Sequence, residues 1–307
     1  VIIKKTVIES TRISDNELLL QEVVQPVEPV RGNIYDRNGK LLAENISSFE
    51  VVIIPGLFPE NVAEKYEILK LLAGAARLDI TLLESLLKSD LAINDPYRTK
   101  VIKRDISSYE AIRLGTLLNK YPAFQIRPAI RRKYHVMNSG LAHAIGYMGR
   151  LDSIEPNTDS LFNYQPTSLI GLSGIEATQE RTLRGTMGES LAKKDLTGRS
   201  HSVRSSKSSQ AGIDITLTID YPLQLDGFKS LQKYIEAGIK DARDPNLREG
   251  RGPYTHEGAF VVMDVRTGEI LALASTPEYD PNVFSTADRS DELNDLLSAS
   301  QKPLVSR

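Results

Sequence analysis

The sequence predicts an α+β protein in which strand-rich segments flank a helical block and lead into a helix and a β-hairpin. Apolar and polar residues alternate over residues 213–219, the period of a half-buried strand. Residues 62–87 instead place apolar side chains at helical spacing. Two continuous apolar runs, residues 259–263 and 270–274, are typical of strands covered on both faces.

Composition excludes several classes of function. The chain has 307 residues, and its 38 basic and 40 acidic residues give a net charge of −2, which argues against nucleic-acid binding. It has no cysteine, so disulfides, thiolate zinc sites and cysteine nucleophiles are excluded. Its four histidines form no i,i+4 pair, so we expect no metal site. No apolar run in the sequence reaches the roughly 18–20 residues of a membrane span.

The first segment predicts strands around a turn. We expect residues 1–30 to be extended, because Pro26 and Pro29 bias their preceding residues away from the helical region. Asn38-Gly39 between apolar pieces is a strong hairpin signal. Residues 49–54 continue as a strand.

The helical block carries start signals. Asp79 is placed to cap a second helix after the one that follows residue 62. Ser107 and Glu110 form a capping box for a third helix.

The segment after the helical block returns to a mixed pattern. A basic cluster at residues 127–133 predicts one solvated face of a strand, with contact to anionic headgroups or glycan phosphates as the alternative. We expect a helix over residues 175–183. The serine-rich residues 197–212 predict a loop or linker.

The last segment begins with a helix. Asp220 is placed to cap it, and Phe228, Leu231 and Ile235 lie on its apolar stripe. Residues 243–257 are polar and predict a loop. The two apolar runs then form a hairpin, in which Gly268 supplies a positive φ.

Four stretches resemble the class B penicillin-binding proteins, and among these the elongation transpeptidases. They are residues 31–43, with Arg-Gly and Asp-Arg-Asn-Gly; residues 142–149, Ala-His-Ala-Ile-Gly-Tyr-Met-Gly; residues 171–176 with Leu-Arg-Gly at 183–185; and residues 258–282. Their order and spacing agree with the family pattern.

The resemblance implies a non-catalytic pedestal that carries a transpeptidase domain. On this mapping, residues 1–55 and 126–220 are the pedestal, residues 56–125 are a helical head inserted in it, and residues 221–307 begin the transpeptidase domain and stop before its nucleophile. The resemblance also implies a protein on the outer, periplasmic face of the bacterial cytoplasmic membrane. A single N-terminal anchor missing from this chain would hold it there.

The same resemblance implies the activity and the partners. Family members crosslink peptidoglycan stem peptides by serine acyl transfer, without a metal or organic cofactor. They work with a lipid-II polymerase and with rod-shape scaffold proteins, which are thought to act through the pedestal.

We expect no catalytic residue in this chain. The family uses a Ser-x-x-Lys nucleophile motif, a Ser-x-Asn and a Lys-Thr-Gly, and we expect neither a Ser-x-Asn nor a Lys-Thr-Gly in this sequence. Three Ser-x-x-Lys matches, at Ser85, Ser190 and Ser230, are interpreted as chance, because no partner motif accompanies them. Arg266-Thr267-Gly268 only imitates Lys-Thr-Gly and is interpreted as a turn.

The family-motif positions are interpreted as mostly structural. They are Arg31, Gly32, Asp36, Arg37, Gly39, His143, Gly146, Gly174, Glu176, Asp264 and Gly268. For Asp36 and Arg37 we expect a solvated hairpin or an ion pair that locks the strands, with a partner-binding pair as the alternative. We expect Glu176 to complement a helix start rather than to act as an acid. We expect His143 to be a satisfied core or boundary residue rather than a base.

Two functions from different classes follow. The first is the pedestal of a D,D-transpeptidase that positions the catalytic domain and receives partners of the elongation machinery. The alternative is a stand-alone, non-catalytic interaction module of the cell envelope. Two apolar strands without a covering domain would expose a sheet edge and face, which argues against the alternative.

Overall fold

The computed structural model of the protein describes residues 21–89, 96–97, 99–150, 169–194, 200–243, 256–285 and 290–299. Its strands are β1 (Gln21–Val27), β2 (Ile34–Tyr35), β3 (Leu41–Ile53), β4 (Lys100–Ile106), β5 (Phe124–Tyr134), β6 (Met148–Arg150), β7 (Leu169–Gly171), β8 (Gly188–Lys194), β9 (Ser200–Lys207), β10 (Ile215–Thr216), β11 (Gly258–Met263) and β12 (Ile270–Thr276). Its helices are α1 (Val62–Ala76), α2 (Ile80–Lys88), α3 (Ser108–Leu118), α4 (Ala142–Ile145), α5 (Gly174–Thr178), α6 (Glu180–Arg184), α7 (Tyr221–Arg243) and α8 (Ser290–Ser298). The α+β prediction is confirmed.

The long strand β3 organises the main sheet. It pairs along most of its length with β5 on one side, antiparallel. On its other side it pairs with β2 at its start and with β4 at its end, both antiparallel. The short strand β10 adds to β2 in parallel. The strand β4 was not predicted, and it lies in the segment for which we expected helices.

A second sheet runs in the order β1-β8-β9, all antiparallel. The prediction of a loop over residues 197–212 is wrong, because β9 occupies residues 200–207. Its pairing with β8 overrides a serine-rich composition that has few strand formers. Of the predicted extended segment 1–30, residues 1–20 lie outside the described residues, and most of the predicted loop 243–257 does too.

Two hydrophobic cores lie at the two ends of β3. Val51 and Ile53 at its end pack with Leu72, Leu83 and Leu114 from the three helices of the head. At its start, the second core joins the strands to the segments that follow them; its buried members are Ile34, Leu42, Ala43, Tyr134, Val136, Leu141, Ile145, Leu183, Ile219 and Tyr221.

The helix starts follow their capping signals. Asp79 accepts from the amide of Thr81, and Ser107 accepts from the amide of Glu110, as predicted. The Glu110 carboxylate pairs with Lys103 at 3.1 Å instead of completing the capping box. The predicted helix over residues 175–183 is divided into α5 and α6 at Gln179, whose φ of −106° and ψ of 20° are not helical.

The last elements are α7 and the β11–β12 hairpin. Asp220 caps α7 as predicted, because its carboxylate accepts from the amide of Leu223 at 3.2 Å. The hairpin forms, but the expectation that β11 is covered on both faces does not hold for the described residues. Val261 is 59% exposed and Met263 is 55% exposed. The face that we expected a catalytic domain to cover is therefore open among the described residues.

Candidate functional site

Polar contacts concentrate where the β2–β3 hairpin and the turn at residues 138–140 meet α7 and β12. We call this contact the junction. The buried carboxylate of Asp36 accepts from the amides of Asn38 at 2.9 Å, Lys40 at 2.7 Å and Tyr221 at 3.2 Å. One side chain thus closes the hairpin turn and caps the first residue of α7, where the helix dipole favours a negative charge.

Arg37 reaches across the junction. Its amide donates to the carbonyl of Ile219 at 2.9 Å, and its guanidinium lies 3.4 Å from Glu269 in the β11–β12 turn. Both side chains of this ion pair are more than a third exposed, so it contributes less than about 1 kcal/mol. The prediction of a solvated hairpin is wrong for Asp36, and the ion pair of Arg37 joins the hairpin to the last unit rather than to another pedestal strand.

Gln224 is a fully buried polar side chain of the junction. Its amide oxygen accepts from the backbone N–H of Leu273 at 2.7 Å. Its amide nitrogen donates to the carbonyl of Leu273 at 3.0 Å and to that of Ser139 at 2.6 Å. A side chain of α7 therefore binds both backbone groups of one β12 residue and, at the same time, the turn that follows β5.

Three further contacts cover the outer edge of β12. The hydroxyl of Thr218 donates to the carbonyl of Ile270 at 2.7 Å, and the amide of Asp220 donates to that of Leu271 at 2.8 Å. The amide of Ser275 donates to the carbonyl of Gly140 at 3.3 Å. The pedestal and α7 thus satisfy backbone groups that an open sheet edge would expose.

Glu278 holds the turn at residues 138–140 from the other side. Its carboxylate accepts from the amides of Ser139 at 3.2 Å and Gly140 at 2.9 Å. Burial raises the pKa of the Glu278 carboxyl above its ordinary value, against the opposing effect of these amides. The Glu278 carboxyl is thus partly desolvated at the junction and hydrogen-bonded to the turn.

His143 and its neighbours complete the junction. Its ring Nε2 donates to the carbonyl of Pro277 at 3.1 Å, and the ring packs edge-on against Tyr279 with centroids 5.0 Å apart. Tyr279 in turn donates to the carbonyl of Ala142 at 3.2 Å. This geometry agrees with the expectation of a satisfied boundary histidine.

A buried charge cluster lies beside the junction, at the start of α5. Glu176 is fully buried and accepts from Arg31 at 2.7 Å and from Arg132 at 2.8 Å. Arg31 also pairs with Glu180 at 2.7 Å. Glu176 lies in the first turn of α5, the helix start that we expected it to complement, and its two oxygens also bind these guanidinium groups. The cluster ties the start of the pedestal, β5 and α5–α6 together.

The basic cluster at residues 127–133 is largely paired rather than solvated. Arg127 lies 2.8 Å from Glu50, Arg131 lies 2.6 Å from Asp105, and Arg132 is buried against Glu176. The prediction of a solvated strand face is therefore wrong for Arg132, because acidic partners from distant segments meet this strand.

The motif glycines and Asp264 lie in turns or at close contacts. A Cβ on Gly146, whose φ is +80°, would lie 1.9 Å from the carbonyl oxygen of Ser173, so no other residue fits there without a shift. Gly32 lies against the backbone of Ile213 in the same way. The remaining motif positions are at turns or helix starts, namely Gly39, Gly174, Asp264 and Gly268. Arg266 lowers the pKa of the Asp264 carboxyl by hydrogen bonding to it.

The three Ser-x-x-Lys matches do not have the geometry of a nucleophile. The hydroxyls of Ser85 and Ser230 each donate at 2.8 Å to a backbone carbonyl of the preceding helical turn. Ser190 and Lys193 are three residues apart in β8, which places their side chains on opposite faces of the strand. Thr267 accepts from the amide of Glu269 within the β11–β12 turn, as the turn interpretation requires.

The expectation that the sequence contains no Ser-x-Asn is wrong. A Ser-x-Asn pattern does occur, as Ser14-Asp15-Asn16. It lies outside the described residues and precedes every Ser-x-x-Lys match in the chain. A motif of three residues without its partners carries no assignment of function.

Sequence reasoning missed several residues of the junction, above all Gln224 and Glu278. A signal for Gln224 was available, because it lies four residues before Phe228 on the buried stripe of α7. A polar residue in such a stripe needs buried hydrogen-bond partners. No comparable local signal marked Glu278, whose partners lie 138 and 139 residues away.

Within the described residues, no helix has the length and apolar character needed to cross a membrane. No group of three or more His, Cys, Asp or Glu side chains in this part of the chain is arranged to hold a metal ion.

The fold and the junction define a strand-rich pedestal attached to the first elements of a separate sheet. Residues 26–217 match the family model described as the penicillin-binding protein dimerisation domain. Residues 258–303 match the penicillin-binding protein transpeptidase domain. The first match covers more than half of the chain, so the chain belongs to the penicillin-binding protein family.

Several individual proteins of this family are similar in sequence to the chain. The chain is 30% identical to the peptidoglycan D,D-transpeptidase MrdA of Haemophilus influenzae and to that of Escherichia coli K12, over 97% of the chain and 41% and 42% of those proteins. It is 30% identical to penicillin-binding protein 3 of Bacillus subtilis, over 85% of the chain and 34% of that protein. The chain thus spans about two fifths of the length of the MrdA proteins that it matches.

A solved structure shares the fold. The penicillin-binding protein PBP2 of Helicobacter pylori, determined in complex with MreC, matches with a TM-score of 0.65 at 21% identity. The match covers 94% of this chain and 49% of that one.

Proposed function

We propose that this chain is the pedestal and the first sheet strands of a peptidoglycan D,D-transpeptidase. In this proposal residues 1–55 and 126–220 form the pedestal, residues 56–125 form the head, and residues 221–307 begin the transpeptidase domain. In the whole protein a serine attacks the D-Ala-D-Ala bond of the donor stem peptide, which releases the terminal D-Ala and leaves an acyl-enzyme. The amine of an acceptor stem peptide then takes the acyl group and frees the serine. Similarity to the two MrdA proteins over nearly all of this chain supports the reaction class.

The junction is the observation that carries the proposal. The outer edge of β12 is closed by Thr218, Asp220, Gln224 and Gly140, whereas among the described strands β11 pairs only with β12. A sheet closed on one side can grow only on the other. The apolar side chains of β11 that are exposed in the described part of the chain suit such growth.

The role of this chain in the reaction is therefore to hold the first strands of the catalytic sheet in position. Acyl transfer depends on reacting groups held within a fraction of an ångström, and a misplacement of about 1 Å costs up to roughly a hundredfold in rate. The buried contacts of Asp36, Gln224 and Glu278 fix the first strands of the sheet relative to the pedestal. No metal or organic cofactor enters this mechanism.

We also propose the binding partners and the cellular location of the protein. The PBP2 of H. pylori was solved with MreC, and we propose that the pedestal of this protein receives a rod-shape scaffold protein of that kind. A lipid-II polymerase would supply the glycan strands, and the protein would act at the outer, periplasmic face of the cytoplasmic membrane through an N-terminal anchor.

Labelling with fluorescent penicillin tests this proposal. The full gene product should form a covalent adduct that survives denaturing electrophoresis, and peptide mapping should place the adduct on a serine outside residues 1–307. The polypeptide 1–307 alone is the matched control and should remain unlabelled. If the full product fails to label beside an active penicillin-binding protein, the proposal is refuted and an interaction module remains. An adduct within residues 1–307 also refutes it.

A further inference from the structure

Gln224 forms hydrogen bonds with three backbone groups at once, which few side chains can do. It accepts one hydrogen bond from Leu273 and donates one to Leu273 and another to Ser139, with all three distances between 2.6 and 3.0 Å. The two donors and the acceptor must lie on one uncharged group, because the site is fully buried. Glutamine meets these requirements. A glutamate would face two carbonyl oxygens with a carboxylate, and a methionine would leave three backbone groups without partners.

The residues that Gln224 joins belong to different parts of the fold. Leu273 is in β12, which begins the transpeptidase sheet. Ser139 is in the turn after β5, which Glu278 also holds. The helix that carries Gln224 is fixed at its start by Asp36 of the β2–β3 hairpin. A displacement of either pedestal segment therefore reaches β12 through Gln224, in addition to the backbone contacts of Asp220 and Gly140.

We propose that Gln224 is a positioning residue that sets the placement of the transpeptidase sheet on its pedestal, and that the rate of acylation depends on this placement. This inference rests on the proposed function. Gln224 itself does not touch the substrate. Asp36 and Glu278 hold the surrounding segments independently, so loss of Gln224 loosens the sheet without unfolding the junction.

The test uses the full gene product and three variants, Gln224→Glu, Gln224→Met and Gln232→Met. Gln232 is an exposed residue of the same helix and serves as the matched control. The second-order rate of acylation by fluorescent penicillin is measured together with the melting temperature. We expect both Gln224 variants to acylate roughly tenfold more slowly or worse at temperatures where they remain folded, and Gln232→Met to match the wild type.

A pH series separates positioning from general loss of structure. The Gln224→Glu variant should recover part of its rate, relative to the wild type at each pH, as the pH falls, because a protonated carboxyl regains one donor. Gln224→Met has no such group and should not recover.

The outcomes distinguish the two proposals. If the wild-type protein is not acylated, the proposed function fails. If the wild type is acylated and both Gln224 variants match it, the positioning role is refuted while the function stands. A cooperative unfolding of both variants at the assay temperature also refutes the inference, since it would show that Gln224 is needed for folding rather than for placement.

Discussion

Replacing Glu176 by glutamine should expose how much the pedestal depends on its buried charge cluster. Glu176 is fully buried, and the side chains of Arg31 and Arg132 that bind it are only 7% and 2% exposed. The substitution keeps the size and shape of the side chain but removes the charge. Arg31 retains Glu180 at 2.7 Å, whereas the other contact of Arg132 in the described part of the chain is with Asn45 at 3.4 Å.

The expected loss follows from the buried guanidinium that is left without its carboxylate. Removing one partner of a buried ion pair costs about 3–5 kcal/mol, because the remaining charge stays desolvated. At about 2–4 °C per kcal/mol for a domain of this size, the melting temperature should fall by roughly 6–20 °C.

Urea unfolding followed by circular dichroism measures the change, with tyrosine fluorescence as a second probe because the chain has 12 tyrosines and no tryptophan. The control is Glu269→Gln, which breaks the exposed pair with Arg37 and should cost less than about 1 kcal/mol. If Glu176→Gln costs no more than this control, the assignment of the cluster as a main fastening of the pedestal is refuted.

Three further predictions concern Glu278, Gly146 and Ser107. Glu278→Gln should raise stability near neutral pH. Burial raises the pKa of Glu278 above its ordinary 4.5, so the folded state holds the proton of this carboxyl at a higher pH than the unfolded state does. The stability of the wild type therefore falls as the pH rises from the unfolded pKa to the folded one. Urea midpoints measured between about pH 4 and 8 should depend less steeply on pH in the variant. Gly146→Ala should abolish the yield of folded protein, because the new Cβ would clash with the carbonyl of Ser173. The control Gly39→Ala also has a positive φ but open space around it, so it should lower the free energy of unfolding by only about 1–2 kcal/mol. Equal yields of the two variants would contradict this. Ser107→Ala should cost about 1 kcal/mol in thermal unfolding, and no change would contradict the observed cap.

Local signals accounted for much of the fold. The Asn-Gly turn, the caps at Asp79, Ser107 and Asp220, and the apolar stripe of α7 each depend on residues within one or two helical turns or across one tight turn. Such interactions are written in contiguous sequence, so a single chain is enough to find them.

The strands β4 and β9 were missed for a physical reason. β9 is rich in serine, and its strand conformation comes from pairing with β8 rather than from its own propensity. β4 contains charged and apolar residues without regular alternation, in a segment dominated by helical spacing, and it is held by its pairing with β3. Tertiary pairing of this kind overrides local composition.

The charge cluster and the junction could not be located from the sequence alone. Arg31 and Glu176 are 145 residues apart, and Asp36 and Tyr221 are 185 residues apart. The motifs containing Arg31, Asp36 and Glu176 were recognised, but their burial was not, because charged side chains are rarely fully buried unless paired. Only the fold shows that Arg31 meets Glu176 and that Asp36 is buried against the start of α7.

Hydrogen exchange at the backbone amides of β12 tests whether the pedestal closes the outer edge of this strand. The amide of Leu273 is bound by Gln224 and that of Ser275 by Gly140. We expect both amides to exchange as slowly as those in the centre of β3, in the protein at neutral pH. Exchange of both at the rate of an open sheet edge, with β3 still protected, would contradict it.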